Sequence, residues 1–173
     1  QKLKMLLNQK NLATTVGDEG GFAPELNKNE EAIEFILESI EKTGFKPGED
    51  ISICLDVASN ELYKDGKYSV RSSKFETTEN TINYYLDLID KYPVKSIEDP
   101  FHEDDALVWS SLTNKAKYDF NTQIVGDDIF ATNENRLFEG HAYPDEKGIG
   151  NAIIIKPNQA GTVSETLEVI ELA

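Results

Sequence analysis

Residues 94–100 read VKSIEDP. Val94 and Ile97 belong to a short run with β-propensity, two carboxylates follow, and Pro100 cannot donate to a sheet ladder. The segment therefore reads as a strand that ends by presenting Glu98 and Asp99. One acid after a strand is ordinarily a turn residue or a helix cap. The rest of the chain decides whether these are more than that.

The arrangement recurs on both sides. Runs near 12–16, 51–56, 123–127 and 152–156 also read as strands. The first leads into Asp18-Glu19 within VGDEGGF (16–22), the second ends in Leu55-Asp56, another leads into Asp127-Asp128, and the last into Lys156. Helical patterns lie between them. In Asn29–Lys42 the apolar residues Ile33, Ile36, Leu37 and Ile40 fall on one face, and Gly44 can stop the helix. In Thr78–Lys91 the face is Ile82, Tyr85, Leu86 and Ile89, with Pro93 as the breaker. A last helix opens with Thr162 and Glu165 at capping-box spacing. Asp65-Gly66, inside Glu61–Val70, reads as the turn of a small hairpin. Strands alternating with helices predict an α/β fold with a mainly parallel sheet.

Five successive strands that each end in an ionisable residue predict more. In a (β/α) barrel the C-terminal strand ends converge on one mouth, where active sites are built. The expected fold is a partial (β/α)8 TIM-like barrel of about five parallel strands with flanking helices, residues 1–173 forming one segment of it. The chain starts at Gln1 within one helical pattern and stops at Ala173 within another. The expectation is therefore an excerpt of a longer protein.

Bulk properties narrow the function. The chain carries 32 acidic against 17 basic residues, a net charge of −15, which argues against general nucleic-acid binding. No segment has the apolar length of a membrane span. The single cysteine, Cys54, excludes an internal disulfide and fits a reducing, cytoplasmic setting. It lies in the apolar run 51–55 and reads as a buried structural thiol.

Carboxylates arriving from different strands make an oxygen-rich site suited to Mg²⁺, which prefers octahedral oxygen ligands. Asp56, Glu98 and Asp127 are the expected ligands; helix capping is the alternative, above all for Asp127 and Asp128. Lys156 beside such a cluster suits a general base if its pKa is lowered, or a salt bridge to one of the acids. Glu19, on a glycine-rich loop, suits a general acid if desolvated, or a solvated turn. His102 and His141 each stand alone in polar loops and read as surface residues, so zinc is disfavoured.

Taken together, VGDEGGFAPEL (16–26), LDVASNELYKDGKY (55–68), SIEDPF (96–101), VGDDIFATN (125–133) and IIKPNQAGTVSETL (154–167) resemble the enolase family, in the family's order and through nearly the whole chain. A lysine base with Mg²⁺ is the arrangement that superfamily is known for. The resemblance implies a hydro-lyase, phosphopyruvate hydratase, that dehydrates 2-phosphoglycerate to phosphoenolpyruvate in glycolysis. Lys156 would remove the C2 proton and Glu19 would protonate the departing C3 hydroxyl. Asp56, Glu98 and Asp127 would hold Mg²⁺. Glu19, Glu98, Asp127 and Lys156 would lie against the substrate.

A homodimer is expected of the full-length form. An N-terminal domain and the last barrel strands, with their phosphate and second-metal contacts, are expected to lie outside this chain, leaving the segment inactive alone. The connection through Gly140–Asp145 looks a few residues longer than the family's. Two other readings compete: a non-catalytic metal-binding or structural module derived from the barrel, and an acid-sugar lyase or racemase of the same superfamily. The VGDEGGF and KPNQAGT stretches argue against the last.

Overall fold

The computed structural model describes residues 1–71, 74–141 and 148–173. They form two compact units, Gln1–Ile53 and Cys54–Ala173. The long connection expected around Gly140–Asp145 falls, from Ala142 onward, outside the described residues.

In the first unit, helix α1 (Lys2–Gln9) packs on α2 (Asn29–Glu41) through buried Leu6, Leu7, Ile33 and Ile40. Gly44, at φ 89°, closes α2 where the sequence places a stop. The run 12–16 does not form a regular strand. Val16 instead makes a single antiparallel bridge to Phe22. Gly17 donates to the Gly21 carbonyl at 2.9 Å, Gly20 donates to the Gly17 carbonyl at 2.9 Å, and Ala23 donates to the Thr15 carbonyl at 3.0 Å. Glycine lets the chain reverse within five residues, with Gly20 at φ 88°, so the extended run finds its partner in its own return.

The chain passes into the second unit along β1 (Ile53–Asp56). A 3₁₀ turn (Ser59–Leu62) leads to a three-stranded antiparallel sheet of β2 (Tyr63–Lys64), β3 (Lys67–Tyr68) and β4 (Glu76–Thr77). Asp65 and Gly66 both have positive φ, the turn that suits the twist of a two-residue hairpin. Next come α3 (Thr78–Lys91), β5 (Val94–Glu98), α4 (Ala106–Lys115), β6 (Gln123–Gly126), α5 (Glu134–His141), β7 (Ala152–Ile153), α6 (Pro157–Ala160) and α7 (Val163–Leu172).

The main sheet has the order β1-β5-β6-β7. β5 pairs with β6 in parallel, Glu98 opposite Val125, and β6 with β7, Gly126 opposite Ile153. Four strands rather than five thus make the parallel sheet among the described residues. Thr77 caps α3 and Thr162 caps α7, each hydroxyl accepting a backbone N–H three residues on.

Helix α4 and the π turn after it (Ala116–Phe120) carry no clear apolar stripe in sequence, yet Trp109, Leu112 and Ala116 are fully buried. The buried core of this unit includes Trp109, Ile97, Phe101, Ile124, Tyr68 and Tyr85. Phe101 meets Tyr68 and Tyr85 edge-on at 5.2 and 5.5 Å between ring centroids. The polar ends of these side chains fasten the loop after β5. Tyr85 Oη and Ser59 Oγ both donate to the Pro100 carbonyl, at 2.8 and 2.7 Å, and Trp109 Nε1 donates to that of His102 at 3.1 Å.

Two expectations are corrected. Cys54 is exposed, because strand alternation buries Ile53 and turns its successor outward. His102 is not a free surface residue: its ring lies 4.5 Å from that of Tyr63 and three-quarters of the side chain is covered.

Candidate active site

In the second unit the strand ends build an acidic mouth. β1 stops at Asp56, β5 at Glu98, β6 at Gly126 just before Asp127, and β7 at Ile153, from which Ile154-Ile155 lead to Lys156. Backbone bonds carry the ladder past the last strand residues. Val57 donates to the Glu98 carbonyl, Asp99 to that of Val125 and Ile154 to that of Gly126, each at 3.0 Å. Successive strand ends thus stay in step, and their side chains reach the same side of the sheet's end.

Electrostatics record that proximity. Burial raises the Glu98 pKa to about 7, and the neighbouring carboxylates of Asp56, Asp127 and Asp99 push in the same direction; Lys156 opposes them. Asp56 is exposed, and one of its oxygens accepts the Ala58 N–H at 3.2 Å. Asp127 is buried, with both oxygens engaged: Oδ1 accepts from Gln159 Nε2 at 2.9 Å, and Oδ2 takes the Lys156 ammonium. That hydrogen bond, above all, holds the Lys156 pKa above its ordinary value; the charges of Asp127, Glu98 and Asp128 add to it, and desolvation works against it.

The salt bridge foreseen as one alternative for Lys156 is therefore formed. The capping alternative for Asp127 and Asp128 is not: the oxygen that meets the first turn of α5 belongs to Asn133, which accepts the Arg136 N–H at 3.1 Å.

Asp99, for which sequence reasoning gave no role, is a buried part of the site. Its Oδ1 accepts the Asp127 N–H at 2.9 Å and its Oδ2 the Asp128 N–H at 3.1 Å. Burial raises its pKa, while those two amides hold it down. Carboxylate oxygens of Asp99, Asp127 and Asp128 lie within 4.8 Å of one another, a spacing that can hold one cation. With both Asp99 oxygens turned to backbone amides, its geometry is that of a clamp on the turn bearing Asp127. Thr132 and Gln159, also without a role in the sequence reading, complete the surroundings of Asp127 and Lys156. The signal for all three lay in the quoted motifs, in an acid beside an acid and in polar residues just past them.

Glu19 belongs to the first unit. It is exposed, in the turn between Val16 and Phe22.

Parallel strands in sequence order, helices between them and ionisable residues at the C-terminal ends define a piece of a (β/α) barrel with a site for a hard cation. The family described as "Enolase, C-terminal TIM barrel domain" matches residues 1–173, and the chain belongs to it. The chain is 52 % identical over 171 residues to the enolase of Pelagibacter ubique and 50 % identical over 172 residues to that of a Nitratiruptor species. Each alignment covers 99 % of this chain and 39 % of the relative, so the chain spans about two-fifths of the length of the curated relatives it matches.

Proposed function

We propose that this chain is a segment of an enolase's catalytic barrel and supplies the metal ligands and the base for Mg²⁺-dependent dehydration of 2-phosphoglycerate to phosphoenolpyruvate. The observation that carries the reading is the meeting of Asp56, Glu98, Asp127 and Lys156 at successive strand ends. The donor set fits Mg²⁺: all its ligands are carboxylate oxygens, and the mutual repulsion that helps raise Glu98 is relieved by a divalent cation.

When bound, the cation neutralises the substrate's carboxylate as charge builds on it and lowers the pKa of nearby groups. Asp56, Glu98 and Asp127 hold it. Lys156 takes the proton from C2. Its ammonium is bound to Asp127, and a cation held by that carboxylate would supply positive charge that lowers the lysine pKa toward a base's range. Glu19 gives a proton to the C3 hydroxyl as it departs as water; its support is the shared VGDEGGF motif. Glu98 and Asp127 border the substrate. We place the complete protein in the cytoplasm, as a homodimer without nucleic-acid partners, by likeness to the family.

The test is Lys156→Ala in the complete polypeptide. Mg²⁺ binding by calorimetry persists, while exchange of the substrate's C2 proton with deuterated solvent disappears. Undiminished exchange refutes Lys156 as the base. Metal binding by a parent protein that shows no exchange at all favours the non-catalytic metal-binding module instead.

A further inference from the structure

Thr132 has a conformation its chemistry disfavours. It is 1 % exposed, and its φ of 46° lies in the left-handed region, where a β-branched side chain crowds its own backbone. Ala131 before it shares that region at φ 47°. Two successive non-glycine residues held this way indicate a turn fixed by its surroundings. The bonds that fix it lead to both chemical groups of the site. Thr132 Oγ1 accepts the backbone N–H of Lys156 at 2.9 Å and donates to Gln159 Oε1 at 2.7 Å, the nearer of its two acceptors, the Ile154 carbonyl lying at 3.4 Å. Gln159 Nε2 then donates to Asp127 Oδ1 at 2.9 Å. Ala131 N–H closes the ring on the Asp127 carbonyl at 2.7 Å.

One hydroxyl thus acts in two directions. As acceptor it sets where the Lys156 backbone leaves β7. As donor it fixes which end of the Gln159 amide faces Asp127: with Oε1 taken by the hydroxyl, the NH₂ group must point at the carboxylate. The opposite orientation would set an amide oxygen against a carboxylate oxygen.

From this ring we infer that Thr132 is a positioning residue, which sets the registry between the base Lys156 and the ligand Asp127 by holding one directly and the other through Gln159. The inference rests on the reading of Asp127 as a metal ligand and Lys156 as the base. The strain at Thr132 has a physical account on these terms: a relaxed turn would move the hydroxyl away from one partner or the other.

The test uses Thr132→Val, Thr132→Ser and Gln159→Met in the complete polypeptide, with Mg²⁺ affinity by calorimetry and C2 proton exchange as readouts. Valine keeps the shape and removes the hydroxyl; serine restores it. Thr132→Val should weaken Mg²⁺ binding about tenfold and slow exchange at saturating Mg²⁺ by about 10–100-fold, the range for groups that orient metal ligands. Thr132→Ser should stay within about threefold of the parent on both.

Gln159→Met cuts only the arm to Asp127 and does not depend on how the valine variant folds. It should weaken Mg²⁺ binding about tenfold while exchange at saturating Mg²⁺ stays within about threefold. Parent-like metal affinity in Gln159→Met, or parent-like exchange in folded Thr132→Val, overturns the inference while leaving the proposed function intact. A parent protein that neither binds Mg²⁺ nor exchanges the proton overturns both.

Discussion

Replacing Asp99 by Asn tests whether the acidic mouth is held by a backbone clamp. Both residues accept the left-handed conformation that Asp99 adopts at φ 40°, so the substitution adds no backbone strain and isolates the carboxylate. Two N–H bonds to a charged acceptor are lost, together about 3–6 kcal/mol. One neutral amide–carbonyl bond is regained, about 1 kcal/mol. Removing a buried charge returns roughly another 1–2 kcal/mol, in keeping with the upward push of burial on the Asp99 pKa. The net local loss spans about 0–4 kcal/mol and centres near about 2 kcal/mol, because the Asn NH₂ must face one backbone N–H donor.

The assay is native-state hydrogen exchange of the peptide that spans Asp127 and Asp128, in the complete polypeptide, with Mg²⁺ and with chelator. Protection of that peptide should drop by about 30-fold in both media, the exchange equivalent of the central value of about 2 kcal/mol. Unchanged protection would refute the clamp. A loss confined to the Mg²⁺ sample would make Asp99 a metal ligand, the alternative that the 4.8 Å spacing of Asp99, Asp127 and Asp128 leaves room for.

Gly126→Ala should destabilise the protein by about 1–3 kcal/mol in denaturant titration, because the added methyl would lie 2.5 Å from the Phe130 ring and 2.6 Å from Ile129. With Glu98 as the ligand proposed above, Mg²⁺ affinity should fall about tenfold per pH unit below pH 7, since a metal there displaces the proton that Glu98 holds up to about that pH; calorimetry across pH 5–8 checks it. Without metal the sign reverses. The folded state keeps the Glu98 proton between its ordinary 4.5 and about 7 while the unfolded chain has lost it, so this group's contribution to stability declines as pH rises through that window. Tyr68→Phe should cost about 1–3 kcal/mol in the same titration, because its fully buried hydroxyl donates to Asp105 Oδ2 and accepts the His102 N–H, both at 3.1 Å.

What the sequence made legible was whatever local chemistry decides. Helix α3 has the predicted bounds, because its apolar periodicity and the proline that follows it suffice to specify them. The Asp65-Gly66 hairpin and the Gly44 stop are likewise settled within a few residues. The strand ends were legible because an acid after an apolar run needs no tertiary information to be noticed. The extended run 12–16 misled because its β-pattern says nothing about which partner it meets, and the glycines of 17–21 offered a nearer one. Helix α4 was missed because Trp109, Leu112 and Ala116 are spread thinly among polar residues; their burial comes from the packing of this segment against α3 and β6. Asp99, Thr132 and Gln159 stand within the quoted motifs, but their roles could not be read there. Their partners lie 28, 24 and 32 residues away, at Asp127, Lys156 and Asp127 again.

The site is best understood as carboxylates compensated to different degrees. Asp99 is satisfied by two backbone amides, and these cannot move away without breaking the turn that carries Asp127. Asp127 is satisfied by Gln159 and by the Lys156 ammonium, a mobile partner on a flexible stem. Glu98 receives only partial relief: Lys156 lowers its pKa, yet burial and three neighbouring acids carry it to about 7. A divalent cation entering this mouth meets the least resistance where compensation is weakest and where a compensating group can leave. Those places are Glu98, which lacks full compensation, and Asp127, whose cation can be exchanged for another. Asp99 offers neither, so its carboxylate stays with the backbone. On the proposed assignment of Asp127 as a ligand and Lys156 as the base, a metal held at Asp127 would replace the ammonium there, and the availability of the base would follow occupancy of the metal site.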